Sequence, residues 1–341
     1  MRIAGKRELL GRGLSWSGAS FLLSNLPPRD MLLVLAYHRI GNPAEDQFDP
    51  AVFSATADEF DRHVGTLKRR ASLVTLEEAV SFIDGSAREK TRRCRVLMTF
   101  DDGYLDNYQT VYPILSSHGA QGVFFLVTGM VGSCEVPWWD RTAYLVKTAR
   151  RRKFVLRYPA ELAVDIDRDG VAASTQAILW SYKNPANSDP DRFLRELAEA
   201  ADSEALPQPA RRFLNWDEAR EMSRGGMAIG SHTHSHHVLS QLELDRQRDE
   251  LSKSRAILKE QLGLEPAALA YPVGHTSSFS RQTQEIAAEL GYRAAFSHYG
   301  GTNLPGKTTP FDVRRSKVGT QSESLFRVQT AVCRATGKFW P

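Results

Sequence analysis

Two short polar segments, each following an apolar run, contain the residues of this chain that could carry out chemistry. The first is Asp101-Asp102-Gly103, directly after the run 96–100. The second holds four of the nine histidines, at positions 232, 234, 236 and 237. Imidazole and carboxylate groups together form the mixed nitrogen and oxygen ligand set that zinc and related metals accept in hydrolytic sites. The sequence therefore predicts a divalent-metal hydrolytic site.

The two aspartates can divide the work of such a site. On an extended strand end successive side chains diverge, so one carboxylate can bind the metal while its neighbour faces the attacking water. Gly103 would relieve crowding at the turn that follows. The simpler alternative is that Asp101 or Asp102 only caps a helix that starts near Tyr104.

The histidine segment favours metal binding by its spacing and its position. His232 and His236 are four residues apart and follow the apolar run 227–231, so both can reach one ion from a helix face or a loop. A catalytic metal keeps an open position and rarely uses consecutive residues, so we predict that His234 and His237 are not ligands. Combined with the aspartate pair at another strand end, this pattern predicts a metal site.

The elements that must position these residues alternate along the chain. Six short apolar runs predict strands buried on both faces, as in a parallel sheet covered by helices. Stretches of helical spacing separate them, and Gly263 and Gly291 follow the last two as helix stops. The β, α, β, α order predicts a barrel or a doubly wound sheet. The predicted strands are 31–37, 96–100, 122–128, 227–231, 267–271 and 294–297; the predicted helices are 58–70, 105–117, 218–224, 242–262 and 281–290.

The composition is that of an ordinary globular protein, since 42% of the 341 residues are hydrophobic and 25% are charged. Basic residues lie in scattered small groups, so we predict no nucleic-acid partner. Three widely spaced cysteines argue against a disulfide framework. The apolar stretch 16–23 is too short and too polar for a signal sequence or a membrane span, so a cytoplasmic protein is expected. Peripheral contact of this basic segment with a membrane stays open.

A change of pattern divides the chain into segments. From 138 to 212 the sequence becomes helical and charged, with one extended stretch at 153–157, which indicates an insertion between two core strands. The core pattern resumes at Trp216, where Asn215 and Glu218 have the spacing of a capping box. We expect a basic N-terminal segment (1–28), two parts of a core domain (29–137 and 213–320), a helical insertion (138–212) and a C-terminal helix or tail (321–341).

Three motifs resemble those of the polysaccharide deacetylase family with a NodB-homology domain. They are TFDDGY at 99–104, HTHSH at 232–236 and LAYPVG at 269–274. The resemblance covers 31–318 apart from the insertion. It implies an α/β fold, a distorted (β/α) barrel, with an Asp-His-His metal site that hydrolyses N-acetyl or sometimes O-acetyl groups on sugars.

Carried over position by position, the resemblance gives each motif residue a role. Asp101 would be the general base. The metal ligands would be Asp102, His232 and His236. The implied contacts with substrate are Tyr104, Tyr271 and Pro272. The cofactor would be a divalent metal ion, with zinc as the first expectation and cobalt, nickel, manganese or iron as alternatives.

One departure from the family pattern concerns the residue that orients the base. Many members carry an arginine for this purpose in the third motif, where this chain has Ala270. Arg314 and Arg315, in the strand-like stretch 311–318, are candidates to replace it. We favour Arg315 as a catalytic residue; the alternative is that the two arginines are a surface pair.

A second departure concerns the acid, because no Leu-His motif follows His236 near the C-terminus. Instead His38 ends the first predicted strand. This arrangement resembles a circularly permuted branch that includes poly-N-acetylglucosamine deacetylases, in which the acid histidine lies on an N-terminal strand. We therefore assign His38 as the general acid, the alternative being a packed polar residue.

The expected function is metal-dependent N-deacetylation of an N-acetylated saccharide or polysaccharide precursor, as in exopolysaccharide biosynthesis. Trp138 and Trp139, where the insertion begins, could stack on apolar sugar faces or only pin the insertion to the barrel. A lipid-linked substrate stays open. Two rival functions are hydrolysis of another non-peptide C–N bond and glycan binding by a catalytically inactive barrel.

Overall fold

The computed structural model describes residues 30–87, 93–184, 189–207, 210–319 and 323–336, so the expected basic segment 1–28 lies outside it. The strands are β1 (Leu32–Tyr37), β2 (Arg39–Ile40), β3 (Phe53–Ala55), β4 (Ser72–Leu73), β5 (Arg95–Phe100), β6 (Val123–Leu126), β7 (Lys153–Leu156), β8 (Leu162–Asp165), β9 (Ala228–Ser231), β10 (Ala268–Ala270), β11 (Ala294–Phe296) and β12 (Arg315–Lys317). The helices are α1 (Ala57–Arg70), α2 (Leu76–Ile83), α3 (Tyr112–Ser117), α4 (Trp138–Lys147), α5 (Ile166–Asp169), α6 (Val171–Lys183), α7 (Pro190–Ala201), α8 (Trp216–Arg224), α9 (Leu244–Leu262), α10 (Arg281–Glu289) and α11 (Glu323–Thr336).

Parallel strands form a curved sheet that nearly closes into a barrel. Their order is β11-β10-β9-β6-β5-β1-β12, and the short β4 pairs with the start of β5. Val313, just before β12, forms a parallel bridge with Phe296 of β11, so the two ends of the sheet meet. This closure confirms the predicted α/β barrel and excludes the open, doubly wound sheet. The six predicted strands match β1, β5, β6, β9, β10 and β11 within two residues at each end.

Strands β1 and β5 are buried on both faces, as their continuous apolar sequences predict. Because side chains alternate along a strand, Leu32 and Val34 of β1 join one apolar cluster with Phe125 and Phe296, whereas Leu33 joins another that contacts the surrounding helices. Phe100 of β5 stacks on Phe124 of β6, with ring centroids 4.7 Å apart. The strand ends that carry the polar residues are therefore held by a packed core.

Local signals set the limits of several helices. Asn215 and Glu218 form the predicted capping box of α8, and α1 begins with the same motif at Thr56 and Glu59. The predicted helix 105–117 contains a π-helical stretch, Asn107–Val111, before α3. Pro113 in α3 has no backbone N–H to donate, which is a physical reason for the irregular turn. None of the described helices has the length and apolar content needed to cross a bilayer.

The segment between β6 and β9 has its own apolar cluster. Helices α4, α6 and α7 pack there with the antiparallel pair β7 and β8, and Tyr104 and Phe213 join the cluster from the flanking chain. The sequence indicated only one extended stretch here. Its partner β8 was missed because only Val164 of its four residues is buried, whereas β7 shows a clear alternation of exposed and buried residues. Helix α4 begins at Trp138, directly after Pro137 at its N-cap.

Candidate active site

The candidate active site lies at the carboxyl ends of the barrel strands. Because the strands are parallel, the residues that follow them emerge on one side of the barrel. His38 follows β1, Asp101 and Asp102 follow β5, His232 follows β9, and His298 follows β11 after one residue. These residues line one cavity with a volume of about 170 Å³. Segments far apart in the sequence thus converge on a single site.

Asp102, His232 and His236 form a buried triad. Oδ1 of Asp102 lies 3.5 Å from Nε2 of His232 and 3.4 Å from Nε2 of His236. One potential ligand atom from each of the three lies within 4.8 Å of the others. The Nδ1 atom of His232 lies 2.8 Å from the carbonyl oxygen of Ala270, which can only accept, so Nδ1 carries the proton and Nε2 presents a lone pair.

The triad fits a divalent cation by its donor set and its electrostatics. Burial, reinforced by the neighbouring Asp101 carboxylate, raises the pKa of Asp102 well above its usual value. Burial also lowers the pKa of His236 well below its usual value, which keeps this imidazole neutral, as a metal ligand must be. A cation among these atoms would favour the ionised carboxylate and satisfy the imidazole lone pairs. This group of residues could therefore hold the metal that the sequence predicts.

The backbone around the triad adopts unusual conformations. Asp102, Thr233 and His236 have φ values of 74°, 66° and 58°, in the left-handed region that non-glycine residues rarely occupy. The Thr233 hydroxyl accepts a hydrogen bond of 3.0 Å from the backbone N–H of His236. Gly103 has a φ of 76°, and a Cβ atom there would meet Leu126 at 2.8 Å. The turn at position 103 thus requires glycine. The loops that position the triad adopt backbone conformations that their residues would not prefer in isolation.

A pair of hydrogen bonds from Arg315 fixes Asp101. Nη1 donates to Oδ1 at 2.6 Å and Nη2 donates to Oδ2 at 2.9 Å. The same guanidinium donates to the hydroxyl of Thr99 and, through Nε, to the carbonyl of Ser297. Burial alone would raise the pKa of Asp101, but the Arg315 charge holds it well below its usual value. Of the two arginines considered from the sequence, Arg315 therefore contacts the carboxylate, whereas Arg314 is exposed.

Neither aspartate caps a helix. In the described part of the chain, Asp101 accepts side-chain hydrogen bonds from Arg315, and the helical turn after Tyr104 has no side-chain cap. The capping interpretation of the aspartate pair is therefore wrong.

His38 lies close to Asp101, at the end of β1, which neighbours β5 in the sheet. Its Nε2 is 4.0 Å from Oδ2 of Asp101, and Nε2 of His232 is also 4.0 Å from that oxygen. The backbone of His38 is fixed, because its N–H donates to Ser54 Oγ at 3.0 Å and its carbonyl accepts from Asn107 at 2.9 Å. Burial lowers the pKa of His38 to about 4, although Asp101 opposes this shift. The imidazole is therefore neutral near pH 7.

His298 is a site residue that the sequence reasoning missed. Its ring centroid lies 5.5 Å from that of His38, and His38, Asp101 and His298 form a second close group of possible ligand atoms. Nε2 of His298 has no hydrogen-bond partner among the described residues. A signal existed: like His38, His298 comes directly after a predicted apolar strand.

The structure places the expected substrate contacts at different depths. Trp138, Trp139 and Tyr271 line the cavity, and the Trp139 ring lies 4.3 Å from that of His236. Tyr104 does not belong to this lining. It is fully buried, its hydroxyl accepts a hydrogen bond from Trp139 Nε1 at 2.8 Å, and it donates to Asp140 at 3.0 Å.

The assignment of Tyr104 as a direct substrate contact is therefore corrected: its hydroxyl group supports Trp139, which lines the cavity. Pro272 is buried, and the cavity is lined by its neighbours Tyr271 and Val273. Three further lining residues were also missed by the sequence reasoning, because no motif connects them with the aspartates or histidines. They are Asp49, Lys183 and Lys317.

Comparison with known families and proteins gives consistent matches. A family model described as polysaccharide deacetylase matches residues 88–295, more than half of the chain. YxkH of Bacillus subtilis (strain 168), a protein assigned by name to the polysaccharide deacetylases, is 20% identical over 248 residues, which are 73% of this chain. The matched region is 58% of that protein, so the chain spans less than two thirds of its relative's length.

Solved structures show the same fold. IcaB from Ammonifex degensii aligns with a TM-score of 0.56 and 22% identity, covering 91% of this chain and 99% of that one. The Streptococcus pyogenes deacetylase PplD, solved in complex with acetate, aligns with a TM-score of 0.54 and 20% identity. That alignment covers 85% of this chain and 93% of PplD. At these identities the likeness concerns the fold alone.

Proposed function

Because the chain belongs to the polysaccharide deacetylase family, we propose that it is a metal-dependent hydrolase that removes N-acetyl groups from a saccharide or polysaccharide precursor. One observation carries the proposal. A buried Asp-His-His triad shares a cavity with an aspartate that is held in its ionised form by a buried arginine. A metal ligand set beside an ionised base is the arrangement that hydrolysis of an acetamide needs.

The chemistry divides among the described residues. Asp102, His232 and His236 would hold a divalent cation, with zinc as the first candidate. Such a cation polarises an acetyl carbonyl and lowers the pKa of a bound water. Asp101 then takes the proton of the attacking water, since Arg315 keeps its carboxylate ionised and its orientation fixed.

His38 is the proposed general acid. Its Nε2 and that of His232 each lie 4.0 Å from the same oxygen of Asp101, so an acetamide that reacts beside this oxygen would have both Asp101 and His38 within reach. Because the imidazole of His38 is neutral near pH 7, it would first take up the proton that Asp101 has removed from the water, from the carboxylate oxygen 4.0 Å away, and would then deliver it to the departing nitrogen as the C–N bond breaks and acetate leaves. PplD has been solved with acetate, which is the product expected here.

Aromatic residues would hold the sugar above these groups. Trp138 and Trp139 line the cavity and would offer apolar surface to the C–H faces of a sugar ring. Tyr271 also lines the cavity, but its side chain is fully buried and its ring stacks on Phe279, so we propose that it supports the wall. We retain Pro272 only as support for the turn that carries Tyr271. The proposed substrate is thus recognised by contacts from the barrel and from α4.

The proposal is tested by measuring metal content and acetate release together. The protein is loaded with zinc and assayed on a panel of N-acetylated sugars and oligosaccharides, with cyclic amides as non-sugar rivals. We expect acetate from the sugars. Asp101→Asn should lower kcat by roughly 10²–10⁴-fold while the metal is retained. His232→Ala should lose bound metal as well as activity.

His237→Ala is the matched control, since this histidine belongs to the same segment but not to the triad. It should keep both metal and activity. Full activity of Asp101→Asn, or unchanged metal content in His232→Ala, would contradict the assigned roles. Hydrolysis of cyclic amides without acetate release from any sugar would replace the proposed function by the rival C–N hydrolase.

A further inference from the structure

Two lysines line the same cavity as the triad although no motif connects them with it. Lys183 is the last residue of α6, and Lys317 is the last residue of β12. Neither forms an ion pair or a side-chain hydrogen bond with any residue that the structure describes. Lys317 is exposed, whereas Lys183 is half-buried. Lysines are normally exposed or paired, so the half-buried and unpaired Lys183 calls for an explanation.

Lys183 belongs to a helix face that forms one wall of the cavity. Gln176, Leu179 and Lys183 are spaced by three and four residues along α6, and all three line the cavity. The Lys183 Nζ lies 5.9 Å from the ring centroid of Trp138, another lining residue. A lysine in the last turn of a helix commonly interacts with the helix dipole. An interaction with the helix dipole alone would leave the ammonium group free to face solvent. The ammonium group of Lys183 instead lies against the cavity wall.

Lys317 approaches the cavity from the other side. It lies two residues after Arg315 on β12, so the two side chains point to the same face of the strand. Arg315 contacts Asp101 at the base of the site, and Lys317 lies two residues further toward the carboxyl end of β12, where the strand meets the cavity. In the sheet Lys317 is opposite Ala36, which directly precedes Tyr37 and His38. The lysine is therefore placed beside the proposed acid.

Asp49 supplies one negative charge at this part of the cavity. It is buried, and its carboxylate accepts a hydrogen bond of 2.9 Å from the backbone N–H of Ala51. It forms no ion pair with either lysine among the described contacts. Of the other two carboxylates of the lining, Asp101 is balanced by Arg315, and Asp102 belongs to the triad that would hold the cation. Among the remaining lining residues two ammonium groups meet one carboxylate, which leaves one positive charge. A charge lining a partly desolvated cavity is most stable when a bound anion pairs with it.

We propose that the saccharide processed here is anionic, and that Lys183 and Lys317 bind a carboxylate or phosphate group on it. This inference rests on the proposed function and specifies its substrate class. The anion would be a carboxylate if the polymer contains acidic sugars, and a phosphate if the sugar is linked to a lipid or nucleotide carrier. Both sources offer the same chemistry to the two ammonium groups.

Binding measurements test the inference without turnover. Zinc-loaded Asp101→Asn protein is titrated by calorimetry with N-acetylglucosamine, N-acetylglucosamine 1-phosphate and N-acetylmuramic acid. We expect at least one of the two anionic sugars to bind about tenfold more tightly than the neutral one, since a charge-assisted hydrogen bond contributes roughly this factor. The preferred anion identifies the source, because one ligand carries phosphate and the other a carboxylate.

Lysine variants in the same background show whether the preference arises where proposed. Lys183→Gln and Lys317→Gln should each remove most of the preference and leave binding of N-acetylglucosamine within about twofold. Lys307→Gln, an exposed lysine without a described partner, makes the same charge change and should retain the preference. Equal binding of the three sugars would overturn the inference. A preference that survives both cavity substitutions would do so as well.

Acetate release separates this inference from the proposed function. If wild-type protein deacetylates neutral and anionic sugars with equal kcat/KM, the proposed function stands and the anionic specificity fails. If the anionic sugars bind selectively but no sugar releases acetate, the proposed function fails and the lysine pair stands as a binding site. Thermal unfolding midpoints of all variants show whether any loss reflects misfolding.

Discussion

At the scale of single residues, Arg315 is the main determinant of the protonation state of Asp101. The guanidinium is fully buried and hydrogen-bonds both oxygens of the carboxylate. Without it, burial would dominate and favour the protonated acid. The base of the proposed reaction is thus prepared by a residue more than two hundred positions away in the sequence.

Arg315→Gln should therefore change the pH dependence of activity. Asp101 must be ionised to act as a base, so kcat/KM falls as the pH drops through its pKa. Removing the guanidinium lets burial raise that pKa above its usual value of about 3.9, so an acidic limb that lies below pH 4 in the wild type should appear within the measured range. The measurement is kcat/KM for acetate release between pH 4 and 9.

Arg314→Gln is the control for this experiment, because its side chain is exposed and adjacent in sequence. Its profile should match that of the wild type. Arg315→Lys, which keeps a positive charge but not the paired hydrogen bonds, should recover part of the shift. An unshifted acidic limb in a folded Arg315→Gln protein would show that Asp101 does not depend on this contact.

His38→Ala should affect amides far more than activated esters. The nitrogen of an acetamide must be protonated to leave, whereas the nitrophenolate of p-nitrophenyl acetate leaves without a proton. We expect roughly a 10²–10⁴-fold loss of sugar N-deacetylation and less than about a tenfold loss of ester hydrolysis. Parallel assays of both substrates on one zinc-loaded preparation provide the measurement.

His275→Ala, an exposed histidine on the loop after β10, should lower neither activity. An equal loss of both activities in His38→Ala would indicate a structural role for His38 instead of acid catalysis. Because the His38 ring lies against that of His298, its removal could disturb the surrounding structure. The circular dichroism spectra of His38→Ala and His275→Ala should therefore be compared with that of the wild type.

At the scale of elements, the apolar strands and the capping motifs could be predicted from sequence because their signals are local. The six predicted strands appear where expected, and α8 begins at its predicted cap. The contact of Arg315 with Asp101 was anticipated from the absence of an arginine at position 270. Strand β8 and helix α2 were missed, since each is short and depends on tertiary packing for its stability.

Strand β9 shows how closely an element can be constrained. A Cβ atom on Gly230 would lie 2.6 Å from the Phe125 ring and 3.0 Å from the Ala268 carbonyl oxygen. We expect Gly230→Ala to destabilise the protein by about 1–3 kcal/mol, as overpacking of a core does. It should also weaken zinc binding, because His232 follows two residues later.

The measurement is urea unfolding together with zinc titration. Gly319→Ala is the matched control, since a Cβ atom there has no neighbour within 4 Å and the backbone is not left-handed. It should leave both quantities close to wild type. If Gly230→Ala were as stable as Gly319→Ala, the close approach of β9 to Phe125 would not constrain the barrel.

At the scale of the whole molecule, the triad joins loops that follow two different strands, β5 and β9. A metal that binds only the folded protein stabilises it by about 2.7 kcal/mol at a hundredfold excess over Kd. Zinc should therefore raise the midpoint of thermal unfolding by several degrees, and a chelator should reverse the change. Scanning calorimetry with and without chelator tests this expectation.

The same experiment on His232→Ala should show a much smaller response to zinc. An identical response in the variant would place the stabilising ion elsewhere. The segment boundaries inferred from the sequence, including the insertion from 138 to 212, stay predictions. What sequence alone could not give at this scale is the convergence of α6 and β12 on the site, because spacing along the chain carries no record of which surfaces meet after folding.

The place where the barrel closes, between β11, β12 and β1, has a consequence for when the protein becomes active during folding. Val313 forms a bridge with β11, and β12 pairs with β1. Among the described residues, the last strand of the sheet along the chain is therefore the one that brings Arg315 to Asp101. A chain in which every earlier strand has folded still lacks Arg315, the positive charge that keeps Asp101 ionised. The protein should therefore become able to hydrolyse substrate only after β12 has paired with β1 and the barrel has closed.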